Sequence, residues 1–242
     1  MTRKFGLIGY PLTHSFSKKF FTERFAAEGI DAVYNNYPIS SIKAFRALQS
    51  TEDLEGINVT IPYKEQVIPY LDQVSAAVKE IGACNCIQYK EGIWTGHNTD
   101  VIGFEQSLLK HLNSSHDRAL VLGTGGAAKA VWYVLRKMGI PYTKVSRTSL
   151  DETIAYQSLT DETIATHPLI INTTPLGMFP NVDEYPKIPY GAIGQGHYLY
   201  DLVYNPAATK FLEKGAAQGA TIANGEDMLV IQANESRRIW GL

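Results

Sequence analysis

Three polar clusters and one run of glycines in this sequence have the residue types that chemistry needs. Lys64 closes the stretch Asn58-Val-Thr60-Ile-Pro62-Tyr-Lys64. Its ammonium can set a positive charge and a transferable proton beside an oxygen that gains charge. Asp100 closes Asn98-Thr99-Asp100 and can aim a carboxylate at the same place. Ser15 and Ser17 flank one residue, so both hydroxyls can donate to one carboxylate. The glycine run is Gly123-Thr124-Gly125-Gly126-Ala127, with a third small residue at Ala128. In that spacing Gly123 permits a tight turn, and Gly125 lets the backbone approach a dinucleotide pyrophosphate.

Each feature also has a plainer explanation. Serines, Asn, Thr and Asp are ordinary helix caps. A single lysine is usually a solvated surface charge. Glycine turns also join strands to helices for close packing alone. Taken singly, each polar cluster is better explained this way. Their shared placement favours function: all three lie at ends of predicted strands, next to a dinucleotide turn. Open parallel sheets bind ligands outside the carboxyl ends of their strands.

The elements that must position these groups follow from the pattern. An apolar run at 119–122 is long enough for a buried parallel strand. A helical pattern at 127–138 follows the glycines and is ended by Gly139 and Pro141. Its first N–H groups and dipole suit a phosphate. Upstream, strands are predicted at 4–9, 32–37, 56–61, 83–89 and 93–97. Helices are predicted at 18–27, from a cap at Ser40 or Ser41 to about residue 48, and from Pro62 across Tyr63, Lys64 and Val67. Two more run from a cap at Asp72 to Ile81, and from the Asn98 to Asp100 cluster through Leu108. Downstream, strands at 142–146, 169–172 and 197–202 alternate with helices at 207–218 and 226–238. Residues 172–196, rich in Pro, Gly and Asn, read as a long functional loop. Alternation of this kind predicts an α/β fold with parallel sheets and helices on both faces.

Composition narrows the class. The chain has 242 residues, 45% apolar and 19% charged, as in an ordinary soluble globular protein. A formal net charge of -2 carries no polyanion-binding signature, so nucleic acid is not expected as a partner. No apolar run reaches the roughly 18 residues that span a bilayer, so no membrane is expected either. The basic start, Met1-Thr-Arg-Lys, precedes an apolar run too short for a signal peptide, and a cytoplasmic protein is expected. Cys84 and Cys86 stand one residue apart, a spacing that makes a mutual disulfide strained. His97 is the one other metal ligand close by, so reduced, buried thiols and no metal are expected.

Read together, the motifs resemble the shikimate dehydrogenase family, in order and over nearly the whole chain. Gly9-Tyr-Pro-Leu-Thr-His14-Ser15-Phe-Ser17 is similar to its substrate-carboxylate loop. The stretch from Asn58 to Lys64 resembles its lysine motif, and Gly82-Ala-Cys-Asn85 and Gly96-His-Asn98-Thr99-Asp100-Val-Ile-Gly103 its asparagine and aspartate motifs. Gly123-Thr-Gly125-Gly126-Ala127 resembles its cofactor turn, and Asn172-Thr-Thr174-Pro-Leu-Gly177-Met the later loop. Asp201-Leu-Val-Tyr204-Asn-Pro206 and Gly225-Glu-Asp-Met228-Leu-Val-Ile-Gln232-Ala are similar to the closing motifs.

The resemblance implies an N-terminal mixed α/β substrate domain at 1–100 and a Rossmann-type NADP domain at 101–220. It further implies a C-terminal helix at 221–242 that returns to the first domain, with the site in the cleft between domains. It implies reversible reduction of 3-dehydroshikimate to shikimate by NADPH, in chorismate and aromatic amino-acid biosynthesis. Lys64 and Asp100 would be the catalytic pair. Ser15, Ser17, Asn58, Thr60, Asn85, Thr99, Tyr204 and Gln232 would hold the substrate. Gly123, Thr124, Gly125, Gly126, Ala127, Ser146, Arg147, Thr148, Thr173, Met178, Leu202 and Gly225 would hold NADP(H).

Cofactor choice has separate support. An NAD enzyme usually carries an acid about 20 residues past the glycines. Here the second strand ends in Ser146-Arg147-Thr148, which suits a 2′-phosphate, and the nearest acid, Asp151, comes later. The chain departs from the family pattern at Cys86 for Thr, Lys18 for Pro and Ser146 for Asn. It also ends soon after Gln232, so a shortened or missing terminal helix is expected. Two other readings stay open: a quinate/shikimate dehydrogenase of relaxed specificity, and a dinucleotide-binding sensor without catalysis. A monomer or homodimer is expected, and the sequence does not choose between them.

Overall fold

The apolar run near the N-terminus forms β1 (Arg3–Gly9), followed by α1 (Phe16–Glu28) and β2 (Ala32–Pro38). The computed structural model describes residues 2–12, 16–51, 53–149 and 152–242. After β2 come α2 (Phe45–Thr51), β3 (Leu54–Val59), β4 (Gln73–Val74) and α3 (Ala76–Ile81). A hairpin of β5 (Cys86–Lys90) and β6 (Ile93–His97) leads into α4 (Asp100–Leu109). The second half alternates: β7 (Ala119–Leu122), α5 (Gly126–Lys137), β8 (Tyr142–Ser146), β9 (Thr153–Ala155), α6 (Asp161–Ala165) and β10 (Leu169–Asn172). It closes with β11 (Tyr198–Asp201), α7 (Lys210–Ala217), β12 (Thr221–Ala223) and α8 (Glu226–Ile239).

Two units result. Met1–Asp100 together with Gln232–Leu242 make the first, and Val101–Ile231 the second, so the division falls inside α8. The first unit's sheet has the order β2-β1-β3-β5-β6-β4. It is mixed, because β3–β5 and β5–β6 pair antiparallel while β1 pairs parallel with both β2 and β3. The second unit's sheet has the order β12-β11-β10-β7-β8-β9 and is parallel throughout. That is the order of a doubly wound dinucleotide fold. Its direction of winding reverses between β7 and β10, where such folds place their ligand. Leu120 and Leu122 share a buried core there with Ile164 of α6 and Phe211 and Leu212 of α7.

Most sequence-predicted elements form within two or three residues of their expected bounds. The helix expected after Pro62 does not form; residues 61–67 are turns and a short 3-10 segment covers Ile68–Tyr70. The reason is visible in the backbone. The Lys64 carbonyl accepts from Cys84 N–H at 2.7 Å, and Ile68 N–H, which would take it in a helix, goes to the Glu65 carbonyl at 3.3 Å instead. Asp72 is not a helix cap: its Oδ2 accepts from Trp94 N–H at 2.8 Å, and Ser75 caps α3 instead. The three-residue strands β9 and β12, and α6, were too short to show a period.

The end of the chain is core, not fringe. Trp240 is buried, stacks on Phe5 with ring centroids 4.9 Å apart, and donates through Nε1 to the Ile87 carbonyl at 2.9 Å. Gly56 makes room for it, since a Cβ there would collide with the indole nitrogen. Trp240→Ala should therefore cost about 3–5 kcal/mol, the usual range for emptying a buried aromatic site. Urea unfolding would show it as a large drop in midpoint; a midpoint within experimental error of the parent would refute this packing role.

Candidate active site

Lys64 and Asp100 meet. The Lys64 ammonium lies 2.7 Å from Asp100 Oδ2, with the two side chains 26% and 10% exposed. The backbone around Lys64 is tied down on both sides: Tyr63 donates its hydroxyl to the Ile39 carbonyl at 2.6 Å, and Cys84 N–H takes the Lys64 carbonyl. Asp100 is the first residue of α4, where the helix dipole favours a carboxylate. Its second oxygen accepts from Asn85 Nδ2 at 2.8 Å.

Asn85 is the keystone of this cluster. Its Nδ2 also donates to Gln232 Oε1 at 3.2 Å, and its Oδ1 accepts from Thr99 N–H at 2.6 Å and from Thr99 Oγ1 at 3.3 Å. Two N–H groups and two lone pairs are all that an amide side chain has. All four are engaged, so Asn85 holds one orientation and holds Asp100 with it. Gln232 reaches this place because α8 ends in the first unit.

A second chain of hydrogen bonds lies beside the first. Asn58 Oδ1 accepts from the Tyr34 hydroxyl at 2.8 Å, and Asn58 Nδ2 donates to Ser236 Oγ at 2.9 Å and to the Asn85 carbonyl at 3.3 Å. Ser17 hydrogen-bonds the same Tyr34 hydroxyl, and burial raises that phenol well above its ordinary value, so it stays a donor. Thr60 comes one residue after β3 and lies against Gly9, where a Cβ would strike its methyl. Ser15 lies outside the described residues. Sequence reasoning missed Tyr34 and Ser236. Tyr34 sits in no motif, and the one signal for Ser236 is its position one helical turn past Gln232.

The cysteines beside Asn85 are free and buried. Burial pushes the Cys84 thiol up to about 12, and Cys86 higher still, so both stay protonated. Among the described residues no group of three or more His, Cys, Asp or Glu could hold a metal ion.

In the second unit, the glycine turn lies where the sheet's winding reverses. Gly123 has φ +106°, and a Cβ there would sit 2.7 Å from Thr173 Oγ1 and 2.9 Å from Thr174 Cγ2. Thr173 in turn donates to the Leu122 carbonyl at 2.8 Å, locking the two strand ends together. Gly125 is the N-cap of α5, with φ −75° and no side-chain cap. A Cβ on Gly125 or Gly126 would meet nothing within 4 Å. The protein's own packing thus does not require glycine at either position. Thr124, Gly125 and Gly126 are exposed, Ala127 is half-buried, and Ala128 is buried under the turn.

The remaining candidates in this unit lie at the same carboxyl edge. Ser146 ends β8, its hydroxyl bonded to the Thr148 carbonyl and 3.3 Å from Thr153 Oγ1; Arg147 follows, exposed. Leu202 donates its N–H to the Asn172 carbonyl at 3.0 Å. Its own carbonyl lies so close to Gly225 that a Cβ there would collide with it. Met178 and Tyr204 are exposed, on loops past β10 and β11.

Asp201 organises these loops. It is fully buried and accepts from Asn172 Nδ2 at 2.9 Å, Val203 N–H at 3.0 Å and Thr209 Oγ1 at 2.6 Å. Burial pushes its carboxyl up from 3.8 to about 6, the three hydrogen bonds opposing the shift. An acid with a raised folded value binds its proton more tightly when folded, so it adds stability as pH falls from about 6 towards 4. Asp201→Asn should remove that gain. Relative to the mutant, the parent should gain about 1–3 kcal/mol between pH 7 and pH 4, at 1.36 kcal/mol per unit. Urea unfolding at several pH values would read this, and parallel curves for the two proteins would refute it.

The family model for the shikimate dehydrogenase substrate binding domain matches residues 7–87. A shikimate dehydrogenase (NADP(+)) of Staphylococcus aureus (strain Newman) is 37% identical over 98% of this chain and 92% of its own length. The crystal structure of a Thermus thermophilus shikimate 5-dehydrogenase in complex with NADP(H) and shikimate superposes with a TM-score of 0.87 at 29% identity, covering 99% of this chain and 94% of that one. A Corynebacterium glutamicum quinate dehydrogenase in complex with NAD gives a TM-score of 0.88 at 26% identity, covering 100% and 94%. With near full-length identity above 30% to curated members, a matching substrate-domain model and the two-unit fold itself, the chain belongs to the shikimate dehydrogenase family.

Proposed function

We propose that this protein catalyses the reversible, NADPH-dependent reduction of 3-dehydroshikimate to shikimate, a step in aromatic amino-acid biosynthesis. The observation that carries the reading is the Lys64–Asp100 pair, 2.7 Å apart and oriented by Asn85, in a chain of this family. The pair is what reduction of a ketone asks of a protein: a positive charge and a proton beside the oxygen that becomes an alkoxide.

The residues present fit a dinucleotide. The α5 N-terminus is uncapped by any side chain and exposed, and glycines stand at 125 and 126 where internal packing asks for none. Backbone approached closely from outside explains them. Gly123 to Ala127 would hold the pyrophosphate, and Arg147 with the Ser146 and Thr148 hydroxyls the 2′-phosphate. Bound NADPH supplies the hydride. Lys64 Nζ donates a hydrogen bond to the substrate carbonyl oxygen and yields the proton as charge builds there. Asp100 keeps the ammonium in place. Asn58, Thr60, Gln232, Ser15 and Ser17 hold the ring hydroxyls and the carboxylate. Tyr34 and Ser236 act one step back, by fixing Asn58.

A matrix of shikimate and quinate against NADP and NAD, followed by absorbance of the reduced nicotinamide, tests the reading. Shikimate with NADP should give the highest kcat/KM. Preference for quinate with NAD would turn the assignment towards the quinate dehydrogenases, and no turnover in any arm would sink it.

A further inference from the structure

Arg147 does not face its surroundings alone. It lines a cavity of about 540 Å³ together with Tyr156, Tyr185, Lys187, Asp183 and Glu184. Arg147 directly follows β8 and Tyr156 directly follows β9, so the cavity opens at the carboxyl edge of the parallel sheet. The other residues come from the long connection between β10 and β11. Lys187 Nζ lies 3.5 Å from the centre of the Tyr185 ring, and Lys214 Nζ lies 4.7 Å from it. The two ammonium groups, Lys187 foremost, hold that phenol below its ordinary value. The Tyr156 hydroxyl is buried with no hydrogen-bond partner among the described residues, and burial raises it to about 12, so it stays protonated.

The cavity thus offers two cations, two tyrosine rings and two carboxylates. A bare inorganic anion would use only the first. An aminopurine bearing a phosphate would use all of them: phosphate at the cations, ring at the tyrosines, exocyclic amine at Asp183 or Glu184. We propose that Lys187 is a second cofactor-selecting residue, sharing the adenosine 2′-phosphate of NADP with Arg147, and that Tyr156 forms part of the same pocket. This rests on the reading that the chain uses NADP.

Calorimetry on the full chain with adenosine 2′,5′-bisphosphate and with 5′-AMP isolates the 2′-phosphate. The parent protein should prefer the bisphosphate. Lys187→Gln should weaken the bisphosphate about tenfold, the size of one partly exposed charged contact, and leave 5′-AMP unchanged. Lys187→Arg should restore most of the preference. A parent with no preference would contradict the NADP reading itself. A parent that discriminates, with Lys187→Gln discriminating equally well, would overturn the inference alone. Equal weakening of both ligands would also overturn it, by showing that Lys187 supports the loop and not the phosphate.

Discussion

Lys64→Ala should lower kcat about 10²–10⁴-fold, the usual contribution of a positioned proton donor. It removes both the proton and the field that offsets the developing alkoxide, so kcat falls more than substrate affinity does. The substrate carboxylate and ring hydroxyls are held by other residues, and KM for shikimate should move by far less. Lys64 belongs to the site and not to the buried core, so thermal unfolding should be close to the parent's. Steady-state rates in the direction of shikimate oxidation check the prediction. Turnover within a few-fold of the parent's would remove Lys64 from the chemistry.

Gly123→Ala should weaken cofactor binding strongly while sparing shikimate. The position has φ +106°, which an L side chain rarely adopts, and the added methyl would press on Thr173 and Thr174. Holding a side chain in such a conformation costs about 1–3 kcal/mol. The turn escapes that cost by moving, which displaces the N–H groups that would hold the pyrophosphate. At 1.4 kcal/mol for each tenfold, NADPH affinity should fall about 5- to 150-fold. The Lys64, Asp100 and Asn85 cluster belongs to the other unit, so shikimate affinity should stay as it was. Fluorescence titration with NADPH, beside a thermal melt to confirm folding, reads the outcome. Unimpaired NADPH binding would mean that the turn is shaped for packing alone.

The second unit was the more legible in sequence, for physical reasons. Its strands are short apolar runs buried on both faces, such as 119–122 and 169–172, and glycines mark the turn that follows. The first unit obeyed local rules less well. Pro62 signalled a helix start, yet a strand-to-turn contact from Cys84 takes the Lys64 carbonyl and the helix never closes. Asp72 looks like a cap and instead holds the Trp94 amide. Within the site, residue types were readable but partnerships were not. Asn85 touches Gln232 across 147 positions, and Asn58 touches Ser236 across 178. No periodicity reports contacts at that range. The motif at Asn58 marked the residue but gave no hint that Tyr34 and Ser236 orient it.

In the proposed reaction a hydride passes directly from NADPH to the ketone carbon of 3-dehydroshikimate. A single-turnover reaction with NADPH deuterated at the transferring position of the nicotinamide tests it most directly. Mass spectrometry or NMR of the product should find shikimate with one deuterium on the new carbinol carbon and none lost to water. Failure to form shikimate, or shikimate whose carbinol carbon carries only solvent hydrogen, would contradict the account.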